Sequence, residues 1–246
     1  MKYVLSYGGG VNSTALLLLL TDKKKPLDAV IFADTGSELP DTYKYIDEVT
    51  KPLCVKYNIN FFVVKNFTHG KTWDSLYEYC WHHRLIPSRM IRWCTKEFKI
   101  EAIRRFYEAQ GWDKEGIVEY HGIDYGEVHR MKQSDVDYIT IEYPLIDAKM
   151  DRDACKNYII RHGLPIPTKS GCYFCPFQNI HRWLELKSKY PDLFKKAVEL
   201  ERNNSGYPNF LFLYSKKPLS TLDKYMTLDD FIETGMDMCD NAYCMT

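Results

Sequence analysis

The run KYVLSYGGGVNSTALLLLL, Lys2 to Leu20, constrains this chain more than any other. An apolar strand leads into three successive glycines, and an apolar helix follows without a break. Glycine lets backbone N–H groups approach a ligand closely, and a helix N-terminus adds positive potential. A strand–glycine–helix unit of this kind opens an α/β sheet, where ligands bind at the carboxyl ends of strands. Phosphate is the natural guest. The alternative is a tight strand-to-helix turn with a Ser/Thr cap, but GGGVNST is richer in glycine than a turn needs.

The rest of the chain alternates in the same sense. Strands are expected at Lys2–Ser6, Asp28–Ala33, Ile59–Val64, Gly116–Ile123 and Ile139–Pro144. Helices are expected at Ser13–Leu20, Pro40–Tyr57, Trp73–His83 and Thr95–Gln110. DAVIFA, at Asp28 to Ala33, is apolar throughout, as a strand covered on both faces requires. The pattern predicts a doubly wound parallel sheet. After Asp147 the character changes to helices (Asp151–His162 and Asn179–Arg202, broken at Pro191) around a Pro-rich loop that carries GCYFCPF. We therefore divide the chain into a nucleotide-binding α/β unit, 1–147, and a cysteine-bearing helical extension, 148–246, that packs on the sheet.

Lys plus Arg and Asp plus Glu both number 33, so the chain carries no general basic coat for nucleic acid. The N-terminus shows no signal-peptide pattern, and the Leu16–Leu20 run is far too short to span a bilayer. A cytoplasmic location is expected. There, eight cysteines point to metal or redox chemistry more than to disulfides.

The loop is not a P-loop, because no Gly-Lys-Ser/Thr follows. It departs from the dinucleotide fingerprint at Ser13, where a third glycine belongs. Ser6-Tyr7-Gly8-Gly9-Gly10-Val11-Asn12-Ser13-Thr14 resembles the SGGxDS pyrophosphate loop (PP-loop) of the ATP pyrophosphatases, with Asn12 in place of Asp. FADTGSELPDTYKYIDEV (Phe32–Val49), RWCTKEFKI (Arg92–Ile100) and GIDYGEVHR (Gly122–Arg130) resemble segments of the phosphoadenosine phosphosulfate (PAPS) reductase branch of that superfamily. GLPIPTKSGCYFCPF (Gly163–Phe177) is similar to the C-terminal segment of PAPS-reductase-like proteins.

The resemblance implies a HUP-like fold of the adenine nucleotide alpha hydrolase type. It also implies a chemistry: ATP and Mg²⁺ bind at the loop, a substrate oxygen attacks the α-phosphate, and pyrophosphate leaves. The activated carbon then accepts sulfur or nitrogen, with a nucleobase or related heterocycle as the expected acceptor. Ser6, Gly8, Gly9, Gly10, Asn12, Ser13 and Thr14 are the loop positions carried over. Asp34 is placed to meet ribose or Mg²⁺, and Lys96, Lys99 and Arg130 to neutralise phosphate. Asn12 offers Mg²⁺ only a neutral oxygen, which leaves open a nucleotide-binding sensor without catalysis.

A sulfonucleotide reductase is the other alternative. Reductases of the branch use a cysteine in a Glu-Cys-Gly-x-His-type tail, whereas the tail here reads MDMCDNAYCMT, with Cys239 and Cys244.

Cys172 and Cys175 form a Cys-x-x-Cys pair, a spacing that lets two thiolates share one metal or cluster. Cys94, beside Arg92, and Cys155, one helix before the pair, are expected to join them. Four sulfurs would close a zinc site or hold a cluster. Three would leave one iron open, as in cluster-bearing tRNA thiolation enzymes of the superfamily, and the match to such relatives favours a [4Fe-4S] cluster over Zn²⁺. Cys54 and Cys80 read as core residues. The basic, aromatic-flanked run His82–Trp93 suits either a nucleic-acid strand or a loop near ATP.

Overall fold

The structure is a computed structural model. It describes all residues except 69, 71, 207, 208, 214, 215 and 223–246, so Cys239 and Cys244 lie outside the described residues.

Chain order runs β1 (Lys2–Tyr7), α1 (Val11–Asp22), β2 (Ala29–Asp34), α2 (Pro40–Tyr45) and, through a π-turn at Ile46–Thr50, α3 (Lys51–Lys56). Then come β3 (Asn60–Lys65), α4 (Leu76–His83), the turn α5 (Trp93–Thr95), a π-turn at Lys96–Ile100 and α6 (Glu101–Ala109). β4 (Ile117–His121), β5 (Ile139–Glu142), α7 (Pro144–Asp147), α8 (Arg152–Arg161), α9 (Ile180–Lys189) and α10 (Pro191–Asn203) complete it. The expected helix from Trp73 starts instead at Leu76, because Ser75 caps it: its Oγ accepts from Glu78 N at 3.1 Å.

Among the described residues the five strands form one parallel sheet in the order β3-β2-β1-β4-β5. The chain first winds outward from β1 through β2 to β3, then returns to lay β4 on the other side of β1. The switch point is therefore between β1 and β4, where doubly wound sheets open a crevice.

Side-chain alternation sorts the strands onto two covered faces. Leu5, Tyr7, Val30, Phe32, Val118 and Tyr120 face α1, α3 and α8. Val4, Ala29, Ile31, Ala33, Ile117 and Ile139 face α6, through Ala102, Ile103 and Tyr107. α1 is buried on every side from Val11 to Leu20, since it is sandwiched between the sheet and α8. This explains its unbroken leucine run. Each of those leucines contributes about 1.5–3 kcal/mol of burial.

A third apolar cluster lies outside the sheet. It joins α4, Trp93 and Phe98 to Tyr173, Phe174, α9 and α10. The residues after 147 thus share a core with residues 73–98, and α8 packs on α1. No helix among the described residues is long and apolar enough to cross a membrane.

Candidate active site

The glycine loop leaves β1 and enters α1 with Gly10 as the N-cap. Gly9 has φ +73°, and a Cβ there would stand 2.7 Å from Thr42 Cγ2. Gly10 has an ordinary φ of −107°, but a Cβ would come within 2.8 Å of Ser170 Oγ. The segment before Cys172 therefore reaches across to the loop. Ser13 closes the cap: its Oγ donates to Gly10 O at 3.1 Å and accepts from Gly10 N at 3.3 Å.

Two loop side chains are held by hydrogen bonds within the fold. Thr14 Oγ1 pairs with Tyr7 OH at 2.9 Å, and the same hydroxyl meets Thr50 Oγ1 at 2.7 Å. Burial pushes the Tyr7 phenol up to about 12. Asn12 is used at both ends: Nδ2 donates to Asp124 Oδ2 (2.9 Å) and Glu127 Oε2 (3.3 Å), and Oδ1 accepts from Arg152 at 3.0 Å. Its expected oxygen for Mg²⁺ is thus taken by Arg152. Arg130 pairs with Glu127 in the same buried network. Gly122 holds that network against the loop, since a Cβ there would stand 2.9 Å from Ser13 N and 3.2 Å from Asn12 C.

A cavity of about 160 Å³ opens at the switch point, under α6. Ser6, Tyr7, Ala33, Glu119, His121 and Lys99 line it, with isoleucines from α6 and β5 as apolar walls. Glu119 and His121 were missed by sequence reasoning. They sit at alternate positions of β4, both under 10% exposed. Nε2 of His121 is 3.3 Å from Glu119 Oε1, yet neither ring nitrogen has a hydrogen-bond partner in the described structure. The signal was present in the sequence: a carboxylate and an imidazole break an otherwise apolar central strand, which a sheet covered on both faces does not ordinarily carry.

A second cavity, about 50 Å³, adjoins the first. Cys94, Cys172, Cys175, Arg92, Thr35 and Lys99 line it. Lys99 belongs to both walls, and its Nζ lies 3.3 Å from the buried Glu38 Oε1. Cys172 Sγ contacts Thr35 Oγ1 at 3.3 Å and Glu38 Oε1 at 3.9 Å. Burial, with Glu38 beside it, pushes the Cys172 thiol well up.

Cys155 is not brought to this cavity. It is fully buried under α1, among Leu16, Ile159 and their neighbours, and burial raises its thiol to about 12. Helix α8 packs its inner face on α1, and Cys155 is part of that face.

The other expected residues have local roles. Asp34 Oδ1 accepts from Gly36 N (2.8 Å) and Tyr43 OH (2.7 Å), which shapes the turn after β2. Lys96 is exposed and lines neither cavity, while Lys99 lines both. In the basic run, Arg89 donates to Pro176 O and Phe212 O, and Arg92 lies 5.6 Å over the Phe177 ring. Both thereby clasp the segment after the Cys-x-x-Cys pair.

Comparison with known proteins agrees with this geometry. The model of the phosphoadenosine phosphosulfate reductase domain matches residues 2–168. The chain belongs to this family. The matched stretch holds the glycine loop, the switch-point cavity and Cys94, and ends just before Cys172 and Cys175.

An uncharacterized protein of Methanocaldococcus jannaschii is 26% identical over 79% of this chain, which spans 46% of that protein. A phosphoadenosine 5′-phosphosulfate reductase of Alkalilimnicola ehrlichii is 27% identical over 67% of the chain and 63% of its own length. The chain thus spans about half to two thirds of these curated relatives. The phosphoadenylyl-sulfate reductase of Candida auris, in its phosphate complex, superposes with a TM-score of 0.52 at 17% identity, covering 71% of this chain and 83% of that one. The fold is therefore that of the PAPS reductase branch.

Proposed function

We propose that this family member binds ATP at the glycine loop and transfers its adenylyl group to an acceptor, releasing pyrophosphate. The observation that carries this reading is the placement of the loop. It follows directly on Ser6 and Tyr7, which line a switch-point cavity that has isoleucine walls, a buried polar floor and Lys99 in its lining, and it leads straight into the N-terminus of α1.

The isoleucines and the His121–Glu119 pair suit a flat heterocycle, whose faces are apolar and whose edge carries donors and acceptors. Loop N–H groups and the helix N-terminus take the phosphates. Mg²⁺ arrives as the counter-ion of the nucleotide, held by the phosphates. An acceptor oxygen attacks the α-phosphorus, the bond to the β-phosphate oxygen breaks, and negative charge builds on the leaving pyrophosphate. Fixed N–H donors and Lys99 stabilise that charge as it forms.

Cys94, Cys172 and Cys175 are the residues that would hold a metal group in the adjoining cavity. Their donor set fits: three soft thiols line one small space beside two cationic side chains. As they stand, no three His, Cys, Asp or Glu among the described residues are grouped tightly enough to hold a metal ion. Binding would therefore deprotonate the thiols and turn them inward. A [4Fe-4S] cluster there would supply an iron able to carry sulfur, and Zn²⁺ would supply a structural clamp.

Calorimetry with MgATP, followed by phosphorus NMR of products in the presence of nucleoside acceptors, tests the reading. ATP binding with AMP and pyrophosphate as products is expected. ADP as the main product overturns it. Sulfite release from PAPS in the presence of a dithiol, without ATP turnover, identifies a sulfonucleotide reductase instead.

A further inference from the structure

We propose that Cys80 completes, with Cys94, Cys172 and Cys175, a centre for one thiophilic metal group held by four protein sulfurs. The proposal rests on the reading that the cysteine cavity takes a metal, and it changes what that metal can do.

Helix α4 reaches the cavity with its N-terminal end. Its first residue, Leu76, lines the cavity and donates from N to Thr35 O at 2.7 Å. Thr35 is the residue whose hydroxyl touches Cys172. Tyr77 packs its ring at 6.2 Å from Tyr173 and 6.1 Å from Phe174, the two residues between the paired cysteines. Tyr79 packs at 5.4 Å from Trp93, the neighbour of Cys94. Cys80 follows Leu76 by four residues and Tyr77 by three, so it shares their face of the helix.

That face meets the Cys-x-x-Cys loop on one side and the Cys94 turn on the other. Cys80 is fully buried in the apolar cluster against which Cys94 and Cys172 pack.

Cys155 cannot play this part without unpacking α8 from α1. Replacing it by Cys80 brings the fourth donor from the segment before the Cys94 turn. The centre would then pin α4, the Cys94 turn and the Cys-x-x-Cys loop into one unit at the edge of the active site. Four protein sulfurs also leave no vacant position on a tetrahedral ion or a cubane cluster. The group would shape the site and set its potential, and sulfur delivery through an open iron would be excluded.

Cobalt(II) titration of the metal-free full chain provides the test, since thiolate-to-cobalt absorption scales with the number of bound sulfurs. The wild type is expected to bind one equivalent with tetrahedral bands. Cys80→Ala should lower cobalt affinity at least tenfold and the charge-transfer intensity by about a quarter. Cys155→Ala should change neither. Circular dichroism checks folding, and Cys80→Ser serves if the alanine variant does not fold. If the Cys80 variants match the wild type while Cys94→Ala loses cobalt, the four-sulfur proposal falls and the three-thiolate reading stands. A wild type that binds no cobalt overturns both.

Discussion

Lys99 Nζ lies 3.3 Å from Glu38 Oε1, and the same carboxylate oxygen lies 3.9 Å from Cys172 Sγ. One buried acid thus ties the cation of the switch-point cavity to the first thiol of the cysteine cavity. Lys99→Met removes the cation and leaves Glu38, 3% exposed, without its counter-charge. ATP affinity should fall tenfold or more, and stability by about 1–3 kcal/mol, since a charged partner is lost from a buried group. Adding Glu38→Gln should restore the stability but not the affinity. Calorimetry and thermal unfolding of both variants decide this. Recovery of ATP binding in the double variant would remove Lys99 from the phosphate site.

Gly9 and Gly10 separate fold from function. Gly9→Ala forces a side chain into a left-handed backbone and against Thr42, so it should cost about 1–3 kcal/mol in unfolding. Gly10→Ala is allowed by its backbone and meets only the movable hydroxyl of Ser170. Its melting temperature should stay within about 2 °C of wild type, a shift that corresponds to about 0.5–1 kcal/mol. Its affinity for ATP should nonetheless drop, because a methyl group keeps the phosphates from the loop. Equal ATP affinity in Gly10→Ala would show that the loop is only a turn.

The fold was legible because its signal is local. Apolar strands, the glycine loop and the leucine helix each announce themselves within a dozen residues, and all five strands fall within about two residues of expectation. The cysteine cavity was legible only in part. The spacing of Cys172 and Cys175 is local, but whether Cys80 or Cys155 joins them depends on which helix packs where. In the sequence Cys155 reads as a fourth ligand and Cys80 as a core residue; what the sequence does not carry is that α8 lies on α1 and α4 on the Cys-x-x-Cys loop. The side-chain partners of Thr14 and Asn12 were not legible for a related reason. A motif fixes the backbone of a loop, while the partners Tyr7, Asp124 and Arg152 decide which way a side chain turns.

Burial holds the Glu127 carboxyl above its ordinary value of 4.5, against the pull of Arg130. The folded state therefore keeps a proton that the unfolded chain has released. That contribution to stability is complete below about pH 4.5 and is lost as pH rises through the higher folded value. Glu127→Gln removes the titration, so the difference in unfolding free energy between wild type and variant should drift against the wild type as pH rises from 4 to 7. A difference independent of pH would place the Glu127 carboxyl in the ordinary range.

Asn12→Asp restores the acidic residue of the SGGxDS pattern, yet in this chain it should destabilise. Nδ2 of Asn12 donates to two carboxylates, Asp124 and Glu127. An aspartate would remove both hydrogen bonds and put a third negative charge beside them, with Arg152 and Arg130 as the cations in the network. Breaking two hydrogen bonds to charged groups in a buried site amounts to about 3 kcal/mol or more. Like-charge repulsion in a low-dielectric pocket adds to it. The loss should be largest near neutral pH and should shrink in acid, where the carboxylates share protons. Millimolar Mg²⁺ should return part of the stability to Asn12→Asp and none to the wild type, whose two carboxylates are already matched by Arg130 and Arg152. Thermal unfolding at pH 5 and pH 7.5, with and without Mg²⁺, gives the four numbers needed. A variant as stable as wild type at pH 7.5 without Mg²⁺ would mean that the amide is not what holds Asp124 and Glu127 together beneath the loop.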